Sequence, residues 1–509
     1  MHYNQLKYIQ MKKLVLLLTL AGVFTLTGES EVEEVAATVS KSDIEGHIYF
    51  LADDLLKGRE TGTPELKIAA SYLANAFRGY GVKPNPKTGT YYQEVNFKRV
   101  SPPEDVSMQV SNQAINDYVL ISSSPFKTEA DAIFLNHGMA EDYVGKDVKG
   151  KVIVIQAGNA EGGDFRASFR LRGQKQKLAK DNGAIAILEL MDMQTEMWDN
   201  VSHNFNGSRL SVVTGNETAS EQNNEDIVHA WVLDKGNSML NQLKGSNTIS
   251  TKIYVSGKKE EPVISQNVIG VVEGTDPVLK NEYIIYSAHY DHVGIGSPDE
   301  TGDTIYNGAR DNGVGTTTVL AMAENLAKYP TKRSALFILF TGEEKGLLGS
   351  RFYVENPVLP LEQMVYCFNS DNGGYNDTSL ATIIGLTRTT AEKNIYDAVK
   401  TFGLTAIEDP AKEQGLFDRS DNVNFAKKGI PAPTFSLGFR SFDGEVTKYY
   451  HRPGDEAHTL DYDYLLKFFR AYVLAGRKIA NDGATPVWNT GDKYEEASKK
   501  LYKREAVKN

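Results

Sequence analysis

Histidines are few in this chain, and two of them stand three residues apart after one apolar segment. The sequence has nine histidines in 509 residues, and the segment EYIIYSA leads directly to His289, Asp291 and His292. If this segment is a strand, His289 and Asp291 face one side, and His292 faces away from them. A carboxylate beside a histidine is the usual partner that orients a metal-binding imidazole. We therefore predict that His289 binds a metal ion, that Asp291 orients its ring, and that His292 is only a neighbour of the site.

Three further segments place carboxylates where they could join the same site. Asp311 precedes a predicted helix in NGARDNGVG, Glu343 and Glu344 follow the apolar segment SALFILF, and Asp371 follows MVYCFNS. Two adjacent glutamates repel one another unless a cation lies between them or one is protonated. Two imidazoles and three carboxylates suit a pair of zinc ions with one bridging carboxylate, and Glu343 remains as a base beside the metals. The second imidazole is His451, in the loop YYHRPGDEAHTLD before the last predicted helix. The predicted ligands are therefore His289, Asp311, Glu344, Asp371 and His451.

The order of the predicted elements supplies a scaffold that would collect these residues. From residue 260 onward, predicted strands and helices alternate, and the last helix begins at DYDYLL. Such alternation indicates an α/β fold with a mostly parallel sheet between layers of helices. In these sheets, functional residues gather at the carboxyl ends of the strands.

The composition changes along the chain and indicates the domain boundaries. We predict a signal peptide at residues 1–30, a catalytic domain from residues 42–99 and 260–481, an inserted β-rich domain at residues 100–259, and a charged tail at residues 482–509. Lys12 and Lys13 precede an apolar run from Leu14 to Leu26, which is typical of a secretory signal and too short to span a bilayer comfortably. No cysteine stands directly after that run, so we expect a periplasmic or secreted protein and not a lipoprotein; an uncleaved anchor is the alternative.

Charge and cysteine content exclude several classes of function. The net charge of −11 argues against a nucleic-acid surface and against a stable partnership with an anionic membrane. The single cysteine, Cys367, excludes an internal disulfide framework and a cysteine-based metal site.

Five motifs of the chain are AHYDHVG, NGARDNGVG, TGEEKGLLGS, NSD and YHRPGD. Together they resemble the motifs of the co-catalytic di-zinc exopeptidases. Bacterial leucyl-type aminopeptidases, glutamate carboxypeptidases, glutaminyl cyclases and the transferrin receptor are relatives within this group. The resemblance spans about residues 42–481 and is interrupted by the insertion. Within the insertion, VKGKVIVIQAG and NGAIAILEL resemble a protease-associated domain.

The resemblance implies a role for each residue of the set. It implies one zinc ion bound by His289 and Asp371, another bound by Glu344 and His451, Asp311 as the bridge, Glu343 as general base, and Tyr450 as the group that stabilises the tetrahedral oxyanion. Three features depart from the usual pattern and are expected to alter the specificity pocket: Arg310 beside the bridging ligand, Asn422 where a histidine is common, and the small polar residues after Asp371.

The leading hypothesis is an exported zinc exopeptidase that removes N-terminal residues from peptides, with a water activated by two zinc ions and Glu343 as general base. A carboxypeptidase or dipeptidase would use the same metals and remains an alternative. A glutaminyl-cyclase-like transferase would keep a single-metal site, against which the five-ligand set argues. A receptor-like binding protein would have lost ligands and the base, whereas all are present.

Overall fold

The chain folds as two units. The first falls within Met1–Gln93 and Gln266–Asn509, and the inserted unit is Glu94–Ser265. The structure, a computed structural model, describes residues 30–163, 165–213, 227–244 and 249–503, so residues 1–29 of the predicted signal peptide lie outside it. Among the described residues, no helix has the length and apolar character needed to cross a membrane.

A mixed sheet forms the centre of the first unit. Four strands lie side by side and run parallel, in the order Thr434–Leu437, Met364–Ser370, Tyr283–His289 and Ser334–Phe340. The sheet continues antiparallel on both sides, through Leu380–Ile384 next to the first of these strands and through Lys259–Val272 next to the last. Two shorter strands pair at its sides, Thr405–Glu408 and Lys83–Pro84.

The prediction of a mostly parallel sheet is therefore correct only for the central strands. A strand buried on both faces has a nearly continuous apolar sequence, and that pattern is the same whichever way the strand runs. The residues of each strand alternate between two apolar cores. Ile284 and Tyr286 pack into one core, and Ile285 packs into the other.

Helices cover both faces of this sheet. Four helices contribute buried side chains to one core: Lys41–Leu51, Pro64–Tyr80, Gly315–Lys328 and Tyr462–Asn481. The local sequence sets their ends, since Thr63 caps the second of them and Gly81 ends it in the left-handed conformation, with φ of 84°. The other described α-helices of the unit are Glu31–Ala36, Leu348–Glu355, Glu392–Thr401, Asn422–Lys428, Gly444–Thr447 and Glu495–Leu501.

The described residues of the predicted charged tail, 482–503, are part of the first unit. Trp488 is 4% exposed and belongs to the second apolar core. Its indole N–H donates to the carbonyl of Gly429 at 3.1 Å. High charge in a sequence does not prevent docking when one large apolar side chain reaches a core.

The inserted unit has its own sheet and its own apolar cores. Its strands follow the order Gln113–Ile115, Val106–Val110, Ile249–Val255, Phe126–Phe134, Val152–Gln156, Ala186–Met191, Val228–Leu233 and Tyr118–Ser122. Arg209–Val212 pairs antiparallel with Tyr92–Ser101. The described α-helices of this unit are Phe165–Asp181, Thr195–Asn206 and Ser238–Lys244.

Candidate metal centre

Predicted site residues follow three neighbouring parallel strands at one edge of the central sheet. His289 ends one strand, and Asp371 directly follows the next. Glu343 and Glu344 lie just beyond the strand on the other side, in which Phe340 pairs with His289 in register. The carboxyl ends of parallel strands thus bring together residues that are far apart in the sequence.

Asp311 lies between two pairs of a histidine and a carboxylate. Its Oδ1 atom is 3.4 Å from His289 Nε2, which is 3.3 Å from Asp371 Oδ1. Its Oδ2 atom is 3.2 Å from His451 Nε2, which is 3.1 Å from Glu344 Oε2. Each oxygen of one carboxylate therefore faces a different imidazole and a different second carboxylate, as a ligand shared by two ions would.

The donor atoms fit zinc in type and in spacing. Zn–N and Zn–O bonds of about 2.0–2.2 Å at tetrahedral angles separate neighbouring donors by roughly 3.3 Å. The four separations around Asp311 lie close to that value. Glu344 Oε1 and His451 Nε2 are buried and have no hydrogen-bond partner within the described part of the chain, which a bound cation would remedy. Imidazole nitrogens and carboxylate oxygens are ligands that zinc accepts.

His292 also lies in this cluster, and the prediction that it faces away from the site is wrong. Its Nδ1 atom is 2.9 Å from Glu344 Oε1, and its side chain is fully buried. The strand ends at His289, so the alternation of side chains does not extend to position 292. The backbone N–H of His292 instead donates to the carbonyl of Arg59 at 3.1 Å. One donor atom from each of four residues lies within 4.8 Å of the others: His292, Asp311, Glu344 and His451.

Asp291 contacts the site differently from the prediction. His289 Nδ1 lies 3.1 Å from the backbone carbonyl of Asp291 and 3.8 Å from its carboxylate, so the carbonyl is the nearer acceptor for the ring. The carboxylate accepts hydrogen bonds from the Thr61 hydroxyl at 2.7 Å and from the Glu343 backbone N–H at 3.2 Å. Asp291 therefore orients His289 through its backbone, and its side chain fixes the loop that carries Glu343.

Glu343 lines the cleft above these donors. Burial raises the pKa of its carboxyl well above the ordinary value, the charge of His289 opposes this rise, and the charges of Asp371 and Glu344 add to it. A carboxylate with a raised pKa takes up a proton more readily near neutral pH, which is what a general base requires.

Tyr450 stands next to the second histidine of the centre. Its ring stacks on that of His451 with centroids 4.0 Å apart and planes 17° apart. Burial, and then the charges of Asp311 and Glu344, raise the pKa of its hydroxyl, so Tyr450 stays a neutral donor. Arg419 Nη2 donates to the Tyr450 oxygen at 3.3 Å, which leaves the phenolic proton for another acceptor.

Two of the small residues after Asp371, Gly373 and Gly374, line the cleft. A Cβ atom on Gly373 would lie 3.0 Å from Tyr450 Cδ2, and one on Gly374 would lie 2.3 Å from the Val446 carbonyl. Any larger residue at these positions would push the Tyr450 loop away from the metal donors.

The other two departures from the family pattern do not line the described cleft. Asn422 is buried and donates to backbone carbonyls. Arg310 Nη1 donates to Asp455 at 3.0 Å, and its guanidinium lies 3.8 Å from the Tyr449 ring centre. Asp455 also accepts from the backbone N–H groups of Arg310 and Asp311, at 3.0 and 3.2 Å. The pair therefore ties the bridging ligand to the loop that carries the second histidine.

A buried arginine from the N-terminal part of the chain completes the surroundings of the site. Arg59 Nε donates to the carbonyl of Tyr290 at 2.9 Å, and Nη1 and Nη2 donate to those of Asn307 and Gly308 at 2.6 and 3.0 Å. Burial lowers its pKa to about 10. Sequence reasoning missed Arg59, Thr61 and the role of Asp455. GRETGT reads as a Gly-rich turn, and its local pattern does not indicate that the arginine is buried.

The cleft over the donors encloses about 90 Å³ of space that water-sized groups can enter. Its floor carries four carboxylates, from Asp311, Glu343, Glu344 and Asp371. Its apolar wall is formed by Ile384, Leu416, Phe439, Phe442 and Val446. Arg419 lines it as well.

Comparison with known proteins gives a family for the segment that holds this site. Residues 267–475 match peptidase family M28, and this range contains every predicted metal ligand. The chain is 25% identical over 468 residues to aminopeptidase YwaD of Bacillus subtilis, with 87% of this chain and 89% of the relative covered. A probable leucine aminopeptidase 2 of Aspergillus oryzae is 24% identical over 417 residues, covering 76% and 74%.

Solved structures share the fold of this chain. An aminopeptidase from Aneurinibacillus sp. strain AM-1 superposes with a TM-score of 0.61 at 20% identity, covering 89% of this chain and 97% of that structure. A zinc aminopeptidase from Bacillus subtilis gives a TM-score of 0.52 at 21% identity, covering 88% and 97%. At this identity the likeness establishes a common architecture.

Proposed function

We propose that this protein is an exported metallo-aminopeptidase that binds two zinc ions and hydrolyses N-terminal residues from peptides. The observation that carries the proposal is the position of Asp311, whose two oxygens face separate pairs of a histidine and a carboxylate, with Glu343 beside them. His289 and Asp371 would hold one ion, and Glu344 and His451 would hold the other.

The residues of the chain have distinct tasks in such a reaction. Zinc ions bound here would act as Lewis acids toward the scissile carbonyl and toward water. Glu343 accepts the proton of the attacking water and passes it to the leaving amine, which its raised pKa favours. The Tyr450 hydroxyl donates to the developing oxyanion, and Arg419 holds that hydroxyl in place.

The cleft favours a substrate with an apolar first side chain. Its wall of aliphatic and phenyl side chains suits an apolar first residue. The relatives named aminopeptidase or leucine aminopeptidase support the same assignment.

Arg419 is the one observation that favours the alternative of a dipeptidase or carboxypeptidase. Its guanidinium lines the cleft and could pair with the terminal carboxylate of a short substrate. A glutaminyl-cyclase-like transferase is less well supported, because the donors form two groups, and a single-metal enzyme needs only one.

A panel of matched substrates tests the proposal. We expect hydrolysis of leucyl amide and of leucyl peptides with a free amino group, no hydrolysis of the same peptides with an acetylated amino group, and loss of activity with a chelator that zinc restores. Preferential release of C-terminal residues from acetylated peptides would show a carboxypeptidase instead. Hydrolysis confined to free dipeptides would show a dipeptidase.

Two further parts of the proposal concern the rest of the chain. Lys12, Lys13 and the apolar run Leu14–Leu26 support export by a cleaved signal. Two strands of the inserted unit coincide with the motifs quoted for the resemblance to a protease-associated domain and support that assignment. Val152–Gln156 lies within the first motif, and Ala186–Met191 overlaps the second. Sequencing of the amino terminus of the protein from the native cell envelope or medium would test the first part, with cleavage before residue 42 expected.

A further inference from the structure

We propose that His292 is a further metal ligand, on the Glu344 and His451 side of the centre. This inference rests on the proposed zinc function and adds one residue to the five predicted ligands. His292 is fully buried, and neither of its ring nitrogens has a hydrogen-bond partner among the described residues. A buried polar group without a partner costs free energy, so an imidazole in this position needs something else to satisfy it.

The surroundings of His292 point to a cation as that missing partner. Its Nδ1 atom lies 2.9 Å from Glu344 Oε1, but the contact lacks the geometry of a hydrogen bond. His451 Nε2 approaches the other oxygen, Glu344 Oε2, at 3.1 Å. Three atoms here are buried and unpartnered within the described chain: His292 Nδ1, Glu344 Oε1 and His451 Nε2. Three such atoms facing one another are satisfied together by one shared ion.

The two imidazoles converge on this point from different directions. Their ring centroids are 5.5 Å apart, and their planes are 74° apart, so they do not stack on each other. Together with Asp311 and Glu344 they offer two nitrogens and two oxygens, and one donor atom from each lies within 4.8 Å of the others. Four donors of this kind are a complete tetrahedral shell for zinc.

The backbone around His292 leaves room for its ring. Gly308 has φ of +62°, and a Cβ atom there would lie 2.6 Å from the His292 ring and 2.3 Å from the Asp311 carbonyl. The His292 N–H is held by the Arg59 carbonyl at 3.1 Å. A glycine before the Asp311 turn and a hydrogen bond from the N-terminal segment therefore direct this imidazole at the donors.

The extra ligand makes the two halves of the centre unequal. The half with His292 has four protein donors, whereas the half with His289 has three: His289, Asp311 and Asp371. A site with four protein ligands is closed, and a site with three keeps a position for water or substrate. The closed half should bind zinc more tightly, and the open half should exchange its ion first.

Metal binding by the full-length protein tests the assignment directly. We expect two zinc ions in the wild-type protein, one of which a competing chelator removes at much lower concentration. His292→Gln keeps a polar side chain without an imidazole, and it should weaken the tighter site at least about tenfold. In cobalt-substituted protein, the same change should alter the visible absorption of the tight site. The matched control is His458→Gln, an exposed histidine seven residues after His451 that has no role in the centre.

The outcomes separate this proposal from the proposed function. If His292→Gln retained both ions with wild-type affinity and an unchanged cobalt spectrum, His292 would not be a ligand, and the zinc enzyme would stand. If the folded variant lost the exchangeable ion instead of the tight one, the assignment to the Glu344 half would be wrong. Wild-type protein without bound zinc would contradict both. Wild-type protein with two unequal zinc sites but no peptidase activity would contradict only the function. Circular dichroism of the metal-free variants checks that each is folded.

Discussion

At the scale of single residues, two adjacent glutamates have separate tasks. Glu344 contacts both His292 and His451 and lies deep among the donors, whereas Glu343 lines the cleft with a pKa well above the ordinary value. Repulsion between adjacent carboxylates is tolerable because one of them faces a cationic site and the other takes up a proton readily. The strand end thus separates a ligand from a base within one dipeptide.

Glu343→Gln should reduce kcat by about two to four orders of magnitude, because the amide keeps the shape of the side chain but cannot accept the proton. Zinc content and KM should stay close to those of the wild type. Glu344→Gln is the matched comparison, since it should lower zinc content itself. Steady-state kinetics with a leucyl amide and metal analysis of both variants make the test. Near-normal turnover in Glu343→Gln would remove this residue from the mechanism.

At the scale of elements, the segment after the last long helix supports one wall of the cleft. Phe417 follows the cleft residue Leu416, and the Arg388 guanidinium lies 4.0 Å from the Phe417 ring centre. Arg388 also lies 5.1 Å from the Trp488 ring centre and pairs with Asp492 at 2.7 Å. The C-terminal residues therefore hold the short helical turn that brings Leu416 to the substrate.

Trp488→Ala should destabilise the first unit by about 3–5 kcal/mol, because a nearly fully buried indole leaves a large cavity. It should also raise KM for leucyl substrates and leave zinc content unchanged, since no ligand moves. Tyr396→Ala is the control, because that side chain is 38% exposed and should change stability little. Thermal unfolding of the two variants gives the comparison. Equal stability of both would mean that the tail contributes nothing to the fold.

At the scale of the whole molecule, the chain divides its work between two units with separate cores. Every predicted ligand lies in the first unit, and the inserted unit has a buried polar cluster of its own. In that cluster Lys175 Nζ lies 2.5 Å from Glu189 Oε1, and His229 Nε2 lies 2.9 Å from Glu189 Oε2. The Trp231 indole donates to the same carboxylate at 2.9 Å. The cluster is a structural feature of the inserted unit.

Glu189→Gln should destabilise the inserted unit by about 3–5 kcal/mol, because it leaves the buried ammonium of Lys175 without its counter-charge. Zinc content should not change. Glu129→Gln removes an exposed pair with Lys252 in the same unit and should cost less than about 1 kcal/mol. Scanning calorimetry that resolves the two units, together with metal analysis, checks both variants. Loss of zinc in Glu189→Gln would show that the units are not independent.

The same cluster gives a pH dependence with a definite sign. Burial raises the pKa of Glu189, but the hydrogen bond and charge of His229 and the charge of Lys175 lower it from 4.5 to about 2. The unfolded chain therefore binds more protons than the folded one in this range. The stability that ionised Glu189 contributes should be fully present above about pH 4.5 and should be lost as the pH falls toward 2. The advantage of wild type over Glu189→Gln should shrink in that window.

The sequence alone determined which residue types stand at the ends of the central strands. Apolar runs such as EYIIYSA and SALFILF define strands by their own composition, and each run directly precedes its polar residues. Because parallel strands end at one edge of a sheet, His289, Glu344 and Asp371 could be placed together without any knowledge of packing. The motifs then supplied a family, and the match of residues 267–475 to peptidase family M28 agrees with it.

Only the tertiary structure decided what surrounds these residues, because those contacts join positions far apart in the chain. Thr61 reaches Asp291 across 230 residues, and Asp455 reaches Arg310 across 145. No local pattern records such pairs. The direction of His292 depends on where the strand stops and on Gly308, which makes room for its ring, so strand alternation predicted it wrongly. The sequence also did not determine whether neighbouring strands run parallel or antiparallel. A strand that is buried on both faces has the same apolar sequence pattern in either direction.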